Sequence, residues 1–206
     1  MRELHLDPLY PITSSGQNHL LLVRTYLETR IQLFQVRDKE LDDASLYDQL
    51  LQIKELCLQA NARFIVNDRV DLALASGADG VHLGQTDLPV DVARRILGEG
   101  AIIGISTHNR AQFLEAQQSA ADYVALGPIF SSSTKESAFP PLGTQALREL
   151  SYEKKRPLVA IGGIQLENVL EVWRSGADSV AVISDIAKAQ NPHTRIRSYQ
   201  DMRLLW

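Results

Sequence analysis

The chain has 206 residues, of which 45% are hydrophobic and 22% are charged, as in an ordinary globular domain with a full core. Its formal net charge of −4 argues against a general nucleic-acid surface, which would be basic. One cysteine, Cys57, excludes an internal disulfide, and the lack of a signal peptide or of an apolar run of transmembrane length leads us to expect a cytoplasmic protein with no membrane partner.

Short apolar runs rich in β-branched residues alternate with longer amphipathic segments along the chain. The amphipathic segments predict helices near residues 18–29, 43–59, 89–97, 110–119, 143–150, 166–175 and 194–205, with only a short turn after Asp68. The apolar runs predict eight strands, which are Leu9 to Thr13, Gln32 to Arg37, Arg63 to Val66, Gly80 to Leu83, Ile102 to Ser106, Tyr123 to Leu126, Leu158 to Ile161 and Ser179 to Ile183.

Near-continuous apolar strands suit a parallel sheet that is buried on both faces. Because a helical segment follows almost every strand, the pattern predicts an α/β fold, a (β/α)8 TIM barrel that forms a single domain over residues 1–206. An open, doubly wound sheet is the alternative. Three related helix-to-strand connections, Gly77 to Gly80, Ala120 to Tyr123 and Gly176 to Ser179, are interpreted as a repeated structural unit and not as a site.

Polar side chains follow nearly every predicted strand. The carboxyl ends of barrel strands meet at one face, where active sites are built. After the second strand, alternation places Gln35, Arg37 and Lys39 on one side, and both cations suit phosphate oxygens. The other strand ends supply Asn67 and Asp68, Asp87, Ser106 and His108, Ser131 to Lys135, Gly162 and Gly163, and Ile183 and Ser184.

Each of these features also has a plain structural interpretation. The Arg-x-Lys pair suits a solvated strand end, Asn67 and Asp68 suit a turn or helix cap, and His82 suits a packed, hydrogen-bonded core histidine. Their joint position favours two anion sites. One lies around the cations and a metal, since Mg²⁺ prefers one or two carboxylates with water and phosphates, and the other lies on the backbone after strands seven and eight.

These segments resemble the thiamine-phosphate synthase (thiamine-phosphate pyrophosphorylase) family. The resemblance extends from Leu9 to Ser184 and implies a Mg²⁺-dependent condensation of 4-amino-2-methyl-5-(diphosphooxymethyl)pyrimidine with 4-methyl-5-(2-phosphooxyethyl)thiazole. The products are thiamine phosphate and pyrophosphate, formed by dissociative loss of pyrophosphate. The resemblance depends on Gln35 to Lys39, Asn67 to Leu74, Gly80 to Asp87, Gly127 to Phe130 with Thr134 and Lys135, and Ala160 to Ile164.

The resemblance also implies residue roles, with Arg37, Lys39, Lys135 and Ser106 as the catalytic set. Asp68 and Asp87 would hold Mg²⁺. The residues implied for the pyrimidine diphosphate are Gln35, Val36, Arg37, Asp38, Lys39, Asn67, Ser106 and Lys135, and those for the thiazole phosphate are Ser132, Ser133, Thr134, Gly163, Ile183 and Ser184.

Two departures from the family pattern concern the thiazole phosphate site. The family usually has Pro-Thr where this chain has Ser131 and Ser132, and a small residue is common where this chain has Asp185, which adds negative charge. Two alternatives stay open. A thiazole tautomerase on the same barrel would use a histidine resembling His108 as acid and base. A non-catalytic barrel that binds phosphorylated metabolites is the other, and the sequence leaves the oligomeric state open.

Overall fold

Parallel strands form the centre of the fold and helices surround them. The computed structural model describes residues 4, 6–131 and 139–205, which form eight strands and nine helices. The strands are β1 (Leu9–Pro11), β2 (Leu33–Val36), β3 (Arg63–Asn67), β4 (Gly80–Leu83), β5 (Ile102–Thr107), β6 (Tyr123–Leu126), β7 (Leu158–Ile161) and β8 (Ser179–Val182). The helices are α1 (His19–Glu28), α2 (Asp43–Ala60), α3 (Val70–Ser76), α4 (Val90–Leu97), α5 (Arg110–Ala116), α6 (Gly143–Ser151), α7 (Val169–Arg174), α8 (Ser184–Ala187) and α9 (Pro192–Arg203).

The strands form a barrel in which chain neighbours pair in parallel from β2 to β8, and β8 pairs with β1. The ring closes between β1 and β2 through a parallel bridge that joins Ile12 to Gln35. There the N–H of Thr13 donates to the carbonyl oxygen of Gln35 at 2.9 Å. The predicted (β/α)8 barrel is therefore confirmed, and the open-sheet alternative is wrong.

Strand side chains alternate between the interior of the barrel and the layer under the helices, as the period of two requires. Phe34, Phe64 and Val81 belong to the larger apolar cluster, which packs the sheet against the helices. The smaller cluster fills the barrel and consists of Leu6, Tyr10, Ile12, Leu33, Ile65, Ile102, Tyr123, Ala125, Val159 and Ala181.

In the described ranges, no helix combines the length and apolarity that crossing a membrane requires.

Two helices were not expected from the sequence. The prediction of only a short turn after Asp68 is wrong, because α3 covers Val70–Ser76 and ends at Gly77 in the left-handed conformation, with φ of 66°. Seven residues make only two turns, so the apolar period is too short to identify a helix with confidence from pattern alone. The four-residue helix α8 gives an even weaker signal.

The three helix-to-strand connections have the same structural role. In each, an aspartate accepts a hydrogen bond from a backbone N–H near the start of the neighbouring strand and also pairs with a basic side chain. The interpretation as a structural unit is therefore confirmed. The sets are Asp79 with Phe64 and Lys54, Asp122 with Ile103 and Arg94, and Asp178 with Leu158 and Lys154.

We expect Asp122→Ala to lower the free energy of unfolding by about 1–3 kcal/mol, because it leaves the N–H of Ile103 without its acceptor and Arg94 without its counter-ion. Asp48→Ala, at an exposed position of α2, is the matched control and should change stability by less than about 0.5 kcal/mol. Urea unfolding of the three proteins measures the difference. Equal stabilities for the two variants would contradict the proposed role of Asp122.

Candidate active site

The carboxyl ends of the strands surround a cavity that opens to solvent. Each strand or the loop that follows it contributes at least one lining residue. Five predicted site residues are brought together here: Gln35, Arg37, Asn67, Ser106 and Ile183. The remaining lining residues, which the sequence did not identify as site residues, are Tyr10, Ile12, His82, Ala125, Val159, Ile161 and Ala181.

The loop after β2 carries two cations, of which Arg37 lines the cavity, and hydroxyl groups after β1 hold the backbone of this loop. The N–H of Arg37 donates to Thr13 Oγ1 at 3.1 Å, and that of Lys39 donates to Ser15 Oγ at 2.8 Å. Lys39 Nζ lies 3.0 Å from Asp68 Oδ2, whereas no carboxylate in the described part of the chain pairs with Arg37. A planar guanidinium without a counter-ion at the edge of a cavity suits a phosphate or diphosphate group.

The carboxylate of Asp38 does not line the cavity, because a buried contact with His19 engages it. His19 Nε2 lies 2.8 Å from Asp38 Oδ2, and the two side chains are 0% and 2% exposed. Asp38 Oδ1 also accepts hydrogen bonds from the N–H groups of Glu40 and Leu41. Burial alone would raise the pKa of Asp38, but these hydrogen bonds and His19 outweigh it and lower that pKa. Val36 packs in the layer under the helices, so its side chain does not reach the cavity either.

Asp68 and Asp87, the predicted metal ligands, lie in hydrogen-bonding contact after β3 and β4. Asp68 adopts the left-handed conformation, with φ of 61°, and its N–H donates to the carbonyl oxygen of His82 at 2.8 Å. The N–H of Gly84 donates to Asp87 Oδ2 at 2.6 Å. Burial raises the pKa of the Asp87 carboxyl; the Gly84 N–H opposes this shift, and the hydrogen bond and charge of Asp68 add to it.

The pair fits the chemistry of Mg²⁺. Two adjacent carboxylates concentrate negative charge that a divalent cation would neutralise, and Mg²⁺ usually needs only one or two carboxylates besides water and substrate phosphates. In the described ranges, no group of three or more His, Cys, Asp or Glu side chains converges as a metal site. The residues therefore suit a metal that shares its ligands with a phosphorylated substrate, and not a closed protein cage.

A line of polar side chains crosses the floor of the cavity. Ser106 Oγ lies 2.8 Å from His82 Nε2, and His82 Nδ1 lies 2.9 Å from the hydroxyl of Tyr123. That hydroxyl lies 3.0 Å from the hydroxyl of Tyr10, which accepts from Gln35 Nε2 at 3.3 Å. The prediction of a packed, hydrogen-bonded His82 is confirmed, since the residue is 8% exposed, but His82 also lines the cavity.

The loop after β7 approaches the loop after β6 closely. Gly163 has a φ of 63°, and a Cβ atom there would lie 2.4 Å from the carbonyl oxygen of Ser131. Only glycine allows both the left-handed conformation and this approach. Ile183 lines the cavity and Ser184 begins α8, so backbone after β7 and β8 reaches the same face of the barrel. Four other residues predicted for this side, Ser132, Ser133, Thr134 and Lys135, lie outside the described residues.

Asp185, the unusual acidic residue after β8, is bonded to the last helix. The hydroxyl of Tyr199 donates to Asp185 Oδ2 at 2.6 Å, and Arg195 Nη1 lies 3.8 Å from the same oxygen. Burial is the largest cause of the raised pKa of Tyr199, and the Asp185 carboxylate raises it further. These contacts offset the negative charge that Asp185 places near the backbone of β8.

His108, the residue on which the tautomerase alternative depends, is not among the residues that line the cavity. Its Nδ1 lies 2.7 Å from the carbonyl oxygen of Gly127. Its ring stacks on Phe139, with a centroid distance of 4.1 Å and an interplanar angle of 8°. These contacts give His108 a packing role at the ends of β5 and β6.

The chain is similar in sequence and in fold to proteins named as synthases of thiamine phosphate. A family model described as thiamine monophosphate synthase matches residues 9–186. A thiamine-phosphate synthase of Caldicellulosiruptor saccharolyticus is 41% identical over 189 residues, which cover 92% of this chain and 86% of the relative. One from Chlorobium phaeovibrioides is 48% identical over 160 residues, covering 78% and 77%. The solved structure of a thiamine phosphate pyrophosphorylase from Pyrococcus furiosus superposes with a TM-score of 0.85 at 32% identity and covers 95% of each chain.

We expect Asp38→Asn to lower the free energy of unfolding by about 1.5–3 kcal/mol near pH 7, because hydrogen bonds to a buried charge become weaker neutral ones. Since the folded pKa of Asp38 is lowered, its contribution is complete above the unfolded pKa and is lost as the pH falls through the folded pKa. Urea unfolding near pH 7 and near pH 3 should therefore show a difference that shrinks in acid. A difference of the same size at both values would mean that the charge of Asp38 is not its source.

Proposed function

The chain belongs to the thiamine monophosphate synthase family, and we propose that it joins an aminopyrimidine diphosphate to a thiazole phosphate in this cavity, with Mg²⁺ held by Asp68 and Asp87. Enzymes of this family are transferases, and the products here are thiamine phosphate and pyrophosphate. The observation that carries the proposal is a juxtaposition. Arg37 lines a cavity with a polar floor and pairs with no carboxylate among the described residues, and Lys39, two residues further on, contacts Asp68 of the Asp68–Asp87 pair.

The aminopyrimidine ring fits the floor of the cavity, where both apolar and hydrogen-bonding groups are available. Gln35, Asn67 and Ser106 supply amide and hydroxyl groups, and Ile12 and Val159 supply apolar contacts for the ring faces. The diphosphate then extends toward Arg37 and Lys39 at the mouth. The polar groups hold the ring in one orientation, and the apolar contacts keep water away from it.

The reaction requires the C–O bond between the pyrimidine methylene and the diphosphate to break, and the electron pair leaves with pyrophosphate. The lone pair of the thiazole nitrogen then forms the new C–N bond. Arg37 and Lys39 stabilise the charge that develops on the leaving group, since cations already in position beside it need little reorganisation. When bound, Mg²⁺ would supply further positive charge to the phosphate oxygens. The thiazole nitrogen is already nucleophilic, so the reaction needs no general base.

The thiazole phosphate fits the other side of the mouth. Backbone after β7 and β8, at Gly163, Ile183 and Ser184, offers N–H groups in the region where barrels of this type often hold phosphate. The attachment of Asp185 to α9 by Tyr199 and Arg195 makes this position compatible with an anion. We also place the enzyme in the cytoplasm, which agrees with a lone, buried Cys57.

The tautomerase alternative has no support from a specific contact. His108 is engaged with Gly127 and Phe139, and the relatives carry synthase names. A non-catalytic barrel would not need two carboxylates beside the cations. The synthase activity is tested directly by measuring pyrophosphate release with both substrates, with and without Mg²⁺. Release coupled to thiamine phosphate formation supports the proposal, and no release with both substrates and metal present would refute it.

We expect Asp68→Asn and Asp87→Asn each to lower Mg²⁺-dependent turnover by about a hundredfold or more, because each removes a charged metal ligand. Asparagine tolerates the left-handed conformation that Asp68 adopts, so the backbone should stay unchanged. Asp48→Asn, at an exposed position of α2, is the control and should retain full turnover.

A folding measurement separates loss of the metal from loss of structure. Since burial and Asp68 both raise the pKa of Asp87, the paired charges do not stabilise each other in the metal-free protein. Without metal, the midpoint temperature of thermal unfolding should therefore be the same as in wild type or slightly higher in both variants. Normal turnover in either variant, insensitive to added chelator, would disprove the metal assignment.

We expect Arg37→Ala to raise the KM for the aminopyrimidine diphosphate by about 10–100-fold, because it removes a bidentate, charge-assisted contact. Arg37→Lys keeps the charge but lacks the planar fork, so its KM for the diphosphate should lie between those of wild type and Arg37→Ala. The KM for the thiazole phosphate should change by less than about threefold, since that substrate is placed on the opposite side. Equal increases in both values would contradict the assignment of Arg37 to the diphosphate.

A further inference from the structure

The five polar side chains of the cavity floor form one continuous hydrogen-bonded line, from Gln35 through Tyr10, Tyr123 and His82 to Ser106. Its interior is dry, because Tyr10 and Tyr123 are 3% and 0% exposed. The Tyr123 and His82 rings also stack, with centroids 5.5 Å apart and an angle of 28°. Gln35, Tyr10, His82 and Ser106 also line the cavity, whereas Tyr123 does not. In a buried line of this kind each hydroxyl has one proton to donate, so the hydrogen bonds along the line share one direction.

The backbone of β5 leaves space for this line at Gly104. A Cβ atom at that position would lie 2.1 Å from Tyr123 Cζ, 2.4 Å from its hydroxyl oxygen and 2.5 Å from His82 Nδ1. Gly104 has extended backbone within a central strand, where glycine weakens the sheet and marks a close approach. The contact that needs this glycine is the hydrogen bond between Tyr123 and His82.

The direction of the line follows from counting protons. Gln35 presents its Nε2 amide to Tyr10, so Tyr10 accepts there, and the Tyr123 hydroxyl oxygen is the acceptor that the described contacts leave for the Tyr10 proton. Tyr123 then donates to His82 Nδ1, which must be unprotonated. The remaining proton of the neutral imidazole is on Nε2 and is donated to Ser106 Oγ. The hydroxyl proton of Ser106 is thereby left for a group in the cavity.

We propose that this line is a one-way relay that leaves the Ser106 hydroxyl proton for an acceptor in the cavity, so that the bound ring is held best when it presents an unprotonated ring nitrogen at that edge. The statement about the ring rests on the proposed function. Tyr10, Tyr123 and Gly104 are then positioning residues, because they act on the ligand through His82 and Ser106. A heterocycle with an N–H at that edge would use the second lone pair of Ser106 Oγ and leave the Ser106 proton without an acceptor, so it should bind more weakly.

The relay itself is tested without any ligand, by long-range ¹H–¹⁵N NMR of the histidine rings. The His82 signals are assigned by their loss in His82→Gln. We expect wild-type His82 to carry its proton on Nε2 and none on Nδ1. A proton on Nδ1 in the wild type would overturn the proposal, whatever the function of the protein.

Reversal of the relay provides a second test. In Gln35→Glu the carboxylate can only accept, so every bond in the line should turn round and the His82 proton should move to Nδ1. Tyr123→Phe removes the donor to Nδ1, so the preference for the Nε2 tautomer should be lost. If Gln35→Glu does not fold, the comparison of wild type with Tyr123→Phe decides. A His82 tautomer that is the same in all folded variants would overturn the relay.

The ring requirement is tested by calorimetric binding of three monophosphates that cannot react by loss of pyrophosphate. They are the aminopyrimidine and its two pyridine analogues, each of which lacks one ring nitrogen. We expect wild type to bind one pyridine about tenfold more weakly than the pyrimidine. Tyr123→Phe should reduce this ratio to less than about threefold, because Ser106 can then turn its lone pairs to the ligand.

Tyr26→Phe is the matched control. Tyr26 is fully buried, and its hydroxyl has no hydrogen-bond partner among the described residues. This variant should keep the tenfold ratio of wild type. If wild type binds none of the three compounds, the proposed function fails while the NMR result still decides the relay. If wild type binds all three equally, the ring requirement is refuted and the synthase proposal stands.

Discussion

The closure of the barrel between β1 and β2 is the contact on which the site depends. Ile12 pairs with Gln35 there, and the N–H of Thr13 donates to the Gln35 carbonyl oxygen. The same junction brings the Tyr10 hydroxyl against the Gln35 amide and the Thr13 hydroxyl against the N–H of Arg37. One short stretch of sheet therefore aligns both the polar floor and the cationic rim. A slip of one residue would turn these side chains to the opposite face of the sheet.

Charge is distributed so that acidic groups beside the proposed anion sites are each engaged by a partner. Asp38 sits between two cations in sequence, yet His19 and two backbone N–H groups hold its carboxylate in a buried pair. Asp185 follows β8, and Tyr199 and Arg195 hold it. Asp68 and Asp87 differ from these, because they also lie beside each other, although Lys39 contacts Asp68 and the Gly84 N–H donates to Asp87. Burial and the nearby Asp68 both raise the pKa of Asp87, so this is the position at which the proposed Mg²⁺ would offset negative charge.

The sequence is sufficient to predict the barrel and much of the cavity mouth. In a barrel of parallel strands the carboxyl ends all meet at one face, so the residues that follow each strand are known to lie there. Arg37, Asn67 and Ser106 lie at the cavity for this reason. The partner of Asp38 could not be predicted, since His19 is nineteen residues away on a helix whose rotation depends on packing. The sequence also does not reveal that Tyr10 points into the barrel, because a strand of three residues is too short to show a periodicity.

The cavity floor breaks local preferences in ways that only its chemistry explains. His82 is a polar residue within the buried strand β4, and Gly104 gives β5 no side chain to pack. Each would weaken the sheet alone, but together they allow a tyrosine hydroxyl and an imidazole to meet inside the barrel. Once formed, the hydrogen bonds are difficult to rearrange, because a buried donor left unpaired costs more than a bond gains. The rigidity of the floor therefore comes from its polar groups, and the apolar residues around them set only its shape.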